Sequence, residues 1–247
     1  MLLKKLIKNL SPKTSTLKIT GISQDSRKVK KGYLFVALKG EKYDGNKYIP
    51  QAISNGARAV IYSGKIKKNK KTEFINFKDT RNIFASLSAN YYKNKPKNIV
   101  AVTGTNGKTS VADFYYQIFK LQNIKSGFIG TLGFRKNKLL KKRNLTTLDS
   151  LTLNKDLNEM SRRNINNVII EASSHGLKQK RVNFLKLKAG IFTNLSHDHL
   201  DYHSNMRDYL ESKLLLFNDL LKKGKAVITD SDIKQFKNIK KIQEKRK

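Results

Sequence analysis

The fold is decided by residues 99–110, which read IVAVTGTNGKTS. A run of β-branched and apolar residues, typical of a buried strand, leads into a turn that contains Gly104 and Gly107 and then into a helix-compatible segment. This order is typical of a phosphate-binding loop. The glycines let the backbone approach phosphate oxygens, and the helix directs free N–H groups and its positive dipole end toward them.

Two side chains complete the predicted loop. The ammonium of Lys108 supplies a point charge for phosphate, and the hydroxyl of Thr109 suits Mg²⁺. The spacing is Gly-x-x-Gly-Lys-Thr, because Val102 stands where the commoner, longer motif has its first glycine. An apolar helical pattern follows and supplies the context that such a loop requires: Val111, Phe114, Tyr115, Ile118 and Phe119.

The charge of the chain favours anionic ligands. Its 247 residues include 52 Lys and Arg against 18 Asp and Glu, a formal net charge of +34. Such a charge is typical of proteins that bind nucleic acid. Here the lysines are spread along the whole chain, and the excess of Lys, Asn and Ile fits the compositional bias of a low-GC genome. We therefore expect attraction for nucleotides and no nucleic-acid interface.

Cysteine content and hydropathy narrow the class of protein further. The sequence contains no cysteine, which excludes disulfides and thiolate metal sites. Lysines interrupt the apolar residues of positions 1–8, which predicts an amphipathic helix instead of a signal-peptide core. No apolar run is long enough to cross a bilayer. We therefore expect a cytoplasmic location with no membrane insertion.

Two α/β domains are predicted. The first, residues 1–96, has apolar runs that predict short strands and a helix, and it closes in a polar linker around Pro96. The second, residues 98–247, begins at the phosphate loop. Its apolar runs predict the strands of a parallel sheet, in which ligands gather at the carboxyl ends of the strands: 126–130, 168–170, 189–193 and 226–229.

Polar residues follow these strand ends. Glu171 comes directly after the strand at 168–170, so its carboxylate is expected near the loop, holding Mg²⁺ directly or through water. All four histidines fall within 29 residues, just after predicted strand ends: His175, His197, His199 and His203. They fit either a transition-metal site or one imidazole at a magnesium site with the others hydrogen-bonded, and we favour the second. Spacing does not decide which imidazole binds.

Four stretches carry a family resemblance. They are VTGTNGKTS at 102–110, EASSHGLKQKRV at 171–182, TNLSHDHLDYH at 193–203, and DSRKVKKGYLFVALKG at 25–40 with Asp44-Gly45 after it. The first three resemble the Mur ligases, and within them the UDP-N-acetylmuramoyl-tripeptide synthetases of the MurE type. The fourth resembles the uridine-nucleotide domain of that family. The resemblance spans almost the whole chain.

The resemblance implies an ATP-dependent carbon–nitrogen ligase of peptidoglycan synthesis. ATP would phosphorylate a carboxylate of UDP-MurNAc-L-Ala-D-Glu to an acyl phosphate, which the amine of a diamino acid, meso-diaminopimelate or L-lysine, would attack. It also implies a uridine-nucleotide domain at residues 1–96 and part of the central ATP-binding domain at 98–247. The implied cofactors are ATP, Mg²⁺ and a CO₂-derived carbamate on Lys213.

Residue roles follow from the same resemblance. Four residues would be catalytic: Lys108, Glu171, His199 and Lys213. Thr109 and Glu171 would hold one Mg²⁺, and His199 and the Lys213 carbamate would serve a second. The nucleotide would contact Gly104, Thr105, Asn106, Gly107, Lys108, Thr109, Ser110 and Asn194. The muramyl-peptide would contact Thr146, Thr147, Ser173, Gln179 and Arg181, with Ser26 on the uridine side. Leu148 replaces a proline that the family often has.

The end of the sequence departs from the family. Members continue through the rest of the ATP domain and a carboxy-terminal domain that binds the incoming amino acid, whereas this sequence stops after a lysine-rich stretch at 234–247. We therefore expect a monomeric, incomplete ligase whose choice of diamino acid cannot be read. The alternatives are a nucleotide-binding remnant without turnover, half of a split ligase with a separately encoded carboxy-terminal half, and, on charge alone, a basic P-loop protein that binds nucleic acid.

Overall fold

The computed structural model describes residues 1–40, 43–136, 139–141, 145–198 and 201–245. The chain divides into two units, Met1–Tyr91 and Tyr92–Lys247, whereas the sequence predicted a boundary at residues 96–98. Each unit contains a sheet of mainly parallel strands with helices, which confirms the predicted α/β class.

The first unit is built on a four-stranded parallel sheet in the order β1-β2-β3-β4. Its strands are β1 (Gly21–Ser23), β2 (Tyr33–Val36), β3 (Ala57–Tyr62) and β4 (Glu73–Asn76), and its helices are α1 (Pro12–Ser15), α2 (Ile49–Ser54) and α3 (Thr80–Tyr91). Phe35 and Val60 belong to one apolar cluster with Ala52 of α2. This packing buries one face of the sheet against the helix.

The first eight residues differ from the predicted amphipathic helix. They contain a 3-10 turn at Leu3–Lys5, and Leu2 pairs with Lys18 in an antiparallel bridge. The pairing buries three apolar side chains that are 0%, 1% and 4% exposed: Leu3, Leu6 and Ile7. The helical pattern is a local signal, and the distant pairing partner overrides it.

The second unit is built on a seven-stranded sheet in the order β11-β10-β5-β9-β6-β7-β8. Its strands are β5 (Asn98–Thr103), β6 (Ser126–Gly130), β7 (Gly133–Lys136), β8 (Leu139–Lys141), β9 (Asn167–Glu171), β10 (Leu187–Phe192) and β11 (Ala226–Thr229). The predicted parallel sheet is confirmed from β11 to β6. β7 and β8 add an unpredicted antiparallel edge, because a two-residue connection after β6 returns the chain antiparallel.

Helices cover both faces of this sheet. They are α4 (Lys108–Leu121), α5 (Ser150–Arg162), α6 (Ser174–Lys178), α7 (Met206–Leu215) with a π-helical turn at Leu216–Leu220, and α8 (Phe236–Glu244). Val102 packs with Ala112 of α4 on one face. Its neighbour Ala101 belongs to the larger core that includes Leu157 of α5, because successive residues of a strand point to opposite faces.

The strand order determines where polar loops can meet. β10, β5 and β9 lie side by side and parallel, with β5 in the middle. The segments after Thr103, Glu171 and Phe192 therefore leave the sheet at the same edge. Across the described residues, none of the helices has the length and apolar character needed to span a membrane.

Two leucine substitutions test where the stability of the second unit resides. Leu157 is 0% exposed in the core, and Leu121, at the end of α4, is 84% exposed. We expect Leu157→Ala to lower the free energy of unfolding by about 2–5 kcal/mol, since it leaves a cavity. Leu121→Ala, the same chemical change, should stay within about 0.5 kcal/mol. Urea denaturation followed by circular dichroism measures both, and equal losses would contradict this core assignment.

Candidate active site

The turn after β5 has the backbone of a phosphate-binding loop. Gly104 and Gly107 have φ values of +144° and +82°, which side-chain-bearing residues rarely adopt. A Cβ at Gly104 would also collide with the hydroxyl of Thr193. α4 begins directly after Gly107 at Lys108. Because Gly107 has no side chain to cap the helix, the first N–H groups of α4 suit an anion.

The segment after β10 fixes this loop from one side. The side-chain oxygen of Asn194 accepts the N–H of Asn106 at 2.9 Å, and its backbone carbonyl accepts the N–H of Thr105 at 3.0 Å. Thr193 donates its hydroxyl to the Asn106 carbonyl at 2.6 Å. Asn194, which the sequence assigned to the nucleotide, therefore lies against the loop. Ser110 lies exposed in the first turn of α4.

Two lysines converge on one carbonyl of the loop. Lys108 Nζ donates to the carbonyl oxygens of Gly104 at 2.9 Å and Thr105 at 2.7 Å, and Lys213 Nζ, from α7, donates to Gly104 at 2.7 Å. Lys213 is 1% exposed, and its Nζ lies 4.1 Å from the ring centroid of Tyr209.

Burial and the neighbouring charge of Lys108 lower the pKa of Lys213 to about 7. Burial also lowers the pKa of Lys108, while Glu171 and Asp198 oppose that change. Removing an ammonium from water disfavours its charged form, and a second ammonium nearby disfavours it further. Lys213 can therefore be a neutral amine near pH 7, where an ordinary lysine is protonated.

Glu171, the last residue of β9, is the buried carboxylate of the site, with 1% exposure. Its Oε2 accepts the hydroxyls of Thr109 at 3.0 Å and Thr131 at 3.1 Å, and its Oε1 accepts the N–H of Thr131 at 3.0 Å. Burial raises the pKa of Glu171, and these hydrogen bonds and Lys108 partly offset that rise. A Cβ at Gly130 would collide with this carboxylate, so a glycine there leaves it room.

Two oxygen-bearing side chains of the site suit Mg²⁺ as ligands. The hydroxyl of Thr109 and the carboxylate of Glu171 are hard oxygen ligands, which magnesium prefers. Thr109 lies in the first turn of the helix that follows the phosphate loop, and the Glu171 carboxylate accepts its hydroxyl. Both therefore lie where a metal bound with phosphate is needed. Among the described residues there is no group of three or more His, Cys, Asp or Glu side chains arranged to hold a metal ion.

The residues predicted to contact the muramyl-peptide are joined to Glu171. Thr147 donates its hydroxyl to the Glu171 carbonyl at 2.9 Å and accepts the N–H of Ser173 at 2.8 Å. Arg181 donates to the Thr147 carbonyl at 2.6 Å and, from two nitrogens, to the side-chain oxygen of Gln179. The fifth residue, Thr146, has its hydroxyl oxygen 3.1 Å from that of Thr131. The fold thus brings all five together.

Ser26 belongs to the first unit and is described there by itself. It lies in a 3-10 turn capped by Asp25 and is 5% exposed. Its hydroxyl donates to the side-chain oxygen of Gln51 at 2.6 Å, and its carbonyl accepts from Asn55 at 2.9 Å. The turn is thereby fixed against one side of α2.

The histidines separate into different environments. His199, the predicted metal ligand, lies outside the described residues. His197 is exposed, whereas His203 is 1% exposed and contacts Asp208 through Nδ1 at 3.2 Å and Ser174 through Nε2 at 2.9 Å. His175 stacks on the ring of Tyr202 at 3.8 Å between centroids.

Two residues of this site were not predicted from the sequence. Thr131 contacts both Glu171 and Thr146, and it follows β6 directly, so the same strand-end rule that found Glu171 also applies to it. Tyr209 on α7 contacts Thr105 through their hydroxyls at 3.2 Å. No sequence signal indicates this contact, because it depends on how α7 packs.

Two family models match the chain. The model described as the Mur ligase middle domain matches residues 102–247, and the one described as the Mur ligase family, catalytic domain, matches residues 18–92. The chain belongs to the Mur ligase family. This confirms the resemblance drawn from the motifs.

Individual members show similarity over about half their length. The chain is 40% identical to the UDP-N-acetylmuramoyl-L-alanyl-D-glutamate–2,6-diaminopimelate ligase of Bradyrhizobium diazoefficiens over 235 residues, which are 94% of this chain and 48% of that protein. A solved structure of a ligase of that name has 29% identity and a TM-score of 0.83, over 100% of this chain and 50% of that one. The Thermotoga maritima MurF ligase in complex with ADP, at 19% identity and a TM-score of 0.56 over 91% of this chain and 48% of that one, shares the fold.

The shifted pKa of Lys213 is directly measurable. Because burial and Lys108 lower it to about 7, the side-chain ¹³Cε signal of Lys213 should titrate with a midpoint near neutral pH in NMR spectra. Lys213→Arg identifies the signal by its loss. A midpoint above pH 10 for Lys213 would contradict the environment described here.

Proposed function

We propose that the chain carries the uridine-nucleotide and ATP-binding parts of a ligase that joins 2,6-diaminopimelate to UDP-MurNAc-L-Ala-D-Glu in peptidoglycan synthesis. The sequence left the choice between diaminopimelate and L-lysine open. The names of relatives at about 40% identity support diaminopimelate. Because the proposed reaction consumes ATP, we assign the protein to the cytoplasm.

One observation carries this proposal. Glu171 joins the residues assigned to the nucleotide to those assigned to the peptide. Its carboxylate accepts from Thr109 on the phosphate-loop side and from Thr131, whose hydroxyl oxygen lies 3.1 Å from that of Thr146. Its backbone carbonyl accepts from Thr147. A ligase that activates a carboxylate with ATP needs these two groups of residues in contact, because the γ-phosphate must meet the peptide.

The nucleotide side would work through charge and backbone donors. The N–H groups at the start of α4 and the ammonium of Lys108 would bind phosphate oxygens. ATP would supply the phosphoryl group that activates the peptide carboxylate. The Thr109 hydroxyl and the Glu171 carboxylate would hold Mg²⁺, whose charge offsets that of the phosphates. His199 remains a proposed ligand of a second ion.

Lys213 would carry the carbamate. Its neutral amine nitrogen would form a bond to the carbon of CO₂ as one C=O π bond opens, and the nitrogen would release a proton to solvent. The product is an anionic carbamate, which is able to lie beside magnesium. Its burial and its pKa of about 7 support this reaction. The remaining N–H of the carbamate would donate to the Gly104 carbonyl, as the amine does now, and so hold the modified group beside the loop.

The peptide side would use a cation and several hydroxyls. The guanidinium of Arg181, oriented by Gln179 and Thr147, offers positive charge to a peptide that carries carboxylates. Ser173 and Thr146 add hydroxyl groups. Ser26 would serve the uridine nucleotide in the first unit.

A pair of lysine variants tests nucleotide binding. Lys108→Ala removes the charge beside the loop and should weaken binding of Mg²⁺-ADP about tenfold or more, the loss expected for charge-assisted hydrogen bonds. Lys120→Ala removes the same charge from the exposed far end of α4 and should leave affinity unchanged. Isothermal titration calorimetry compares the two. Equal weakening would mean that general positive charge, not the loop, binds the nucleotide.

Turnover tests the rest of the proposal. The chain spans about half the length of the relatives it matches, and we propose that the remaining half holds the diamino acid in line with the activated carbonyl. Without that positioning, ligation should be undetectable. The chain is incubated with ATP, Mg²⁺, bicarbonate, UDP-MurNAc-L-Ala-D-Glu and diaminopimelate, with and without the remaining half of a relative, and UDP-MurNAc-tripeptide is sought by mass spectrometry.

Product that forms only with the added half, and that Lys108→Ala abolishes, would support the proposal that the chain binds ATP while the other half positions the diamino acid. Product from the chain alone would contradict it. If neither mixture forms product while Mg²⁺-ADP still binds, a nucleotide-binding remnant becomes the better description.

A further inference from the structure

A buried hydrogen-bond chain connects α6 to α7, and the proposed reaction does not use it. Asp208 in the first turn of α7 contacts His203 Nδ1 at 3.2 Å, and His203 Nε2 contacts the hydroxyl of Ser174 at 2.9 Å. Lys178, at the end of α6, donates to the same Asp208 carboxylate at 2.9 Å. The side chain of His203 is fully buried, and Ser174 is 1% exposed.

The order of groups, Ser174–His203–Asp208, is the order found in serine hydrolases. A nucleophile must meet its substrate, and the burial of Ser174 prevents that. The chain is therefore better suited to fixing two elements than to chemistry.

The directions of the hydrogen bonds follow from the chemistry of the groups. Lys178 and His203 lower the pKa of Asp208 through hydrogen bonds, which keeps it an ionised carboxylate that only accepts. Burial lowers the pKa of His203, which favours the neutral ring. His203 then donates from Nδ1 to Asp208 and accepts at Nε2 from Ser174. A neutral imidazole can bridge these two partners with both nitrogens satisfied.

The hydrogen-bond chain Ser174–His203–Asp208 forms a bridge between α6 and α7. One end lies beside the residues proposed to bind the peptide, and the other end lies on the helix that carries Lys213. Ser174 follows Ser173 directly, and α6 ends beside Gln179, whose side chain donates to Tyr202 at 3.3 Å. At the other end, Asp208 and Lys213 lie on the same helix, α7. The bridge therefore joins the peptide-binding segment to the helix that carries Lys213.

We propose that His203 is a positioning residue that holds residues 173–181 at a fixed place relative to α7, and so sets the affinity for the muramyl-peptide without contacting it. The proposal rests on the proposed function for the identity of that ligand. Residues 173–181 are buried or half-buried. Hydrogen bonds that tie this segment to a neighbouring helix restrict its conformations before the ligand arrives, which favours binding.

The test compares three variants. His203→Phe keeps an aromatic ring but removes both hydrogen bonds. His203→Gln restores one donor for Asp208 and one acceptor for Ser174. His197→Phe makes the same exchange at an exposed histidine of the same segment and is the control. Calorimetry measures the affinity for UDP-MurNAc-L-Ala-D-Glu and, separately, for Mg²⁺-ADP.

We expect His203→Phe to weaken binding of the muramyl-dipeptide about tenfold and to leave Mg²⁺-ADP affinity unchanged. His203→Gln should recover most of the loss, and His197→Phe should bind as the parent does. Unchanged dipeptide affinity in His203→Phe, or an equal loss for both ligands, would overturn the proposal.

Hydrogen exchange supplies a readout that needs no ligand. The amides of Leu177 and Gln179 donate within α6, to Ser173 and His175. In His203→Phe they should exchange about fivefold faster, since local opening becomes easier, while amides of β9 keep the parent rate. No change, or the same rise in β9, would overturn the proposal. If the parent binds no dipeptide, the proposed function fails, and this measurement alone decides the role of His203.

Discussion

The carboxylate of Glu171 is only 1% exposed. A charged group that is buried in this way must accept hydrogen bonds from several surrounding donors. The donors come from the first turn of α4 and from the turn after β6, through Thr109 and Thr131. Gly130 leaves the space. These elements can meet only because β9 lies between β5 and β6 in the sheet. The strand order is thus the structural condition for the site.

The two lysines of the site are cations that lie close to each other, and their charges repel. Lys108 and Lys213 share the Gly104 carbonyl, and two ammonium groups so close repel each other. Burial is the larger cost for Lys213 and, together with the charge of Lys108, lowers its pKa to about 7. A neutral amine at this position is a nucleophile. The formal net charge of +34 therefore does not indicate which lysine is a nucleophile.

The sequence predicted the parts of this structure that depend on local pattern. The strands β5, β6, β9, β10 and β11, the loop and the placement of Glu171 at a strand end follow from apolar runs broken by glycine or polar residues. The family motifs added residues such as Thr147 and Arg181, which lie together in the structure although their roles remain proposals. These signals are all contained in short windows of sequence.

What the sequence could not predict depends on contacts between distant segments. The bridge of Leu2 with Lys18 replaced a helix that the local pattern favoured. The antiparallel edge depends on a short turn whose flanking strands carry a weak pattern. The histidine cluster indicated an unusual region, but spacing alone could not distinguish the exposed His197 from the buried His203, because the burial of His203 depends on its contacts with α6 and α7.

The packing of α6 against α7 also gives residues 173–181 a second attachment to the rest of the unit. Glu171 holds the start of residues 173–181, the segment proposed to bind the peptide, since its carbonyl accepts from Thr147, which in turn accepts from Ser173. Asp208 of α7 and His203, which precedes α7, hold the same segment from the other side. One attachment would leave the segment able to pivot, whereas two attachments on different elements remove that freedom. The helix that provides the second attachment also carries Lys213, so a displacement of α7 would move the buried amine together with the residues proposed to bind the peptide.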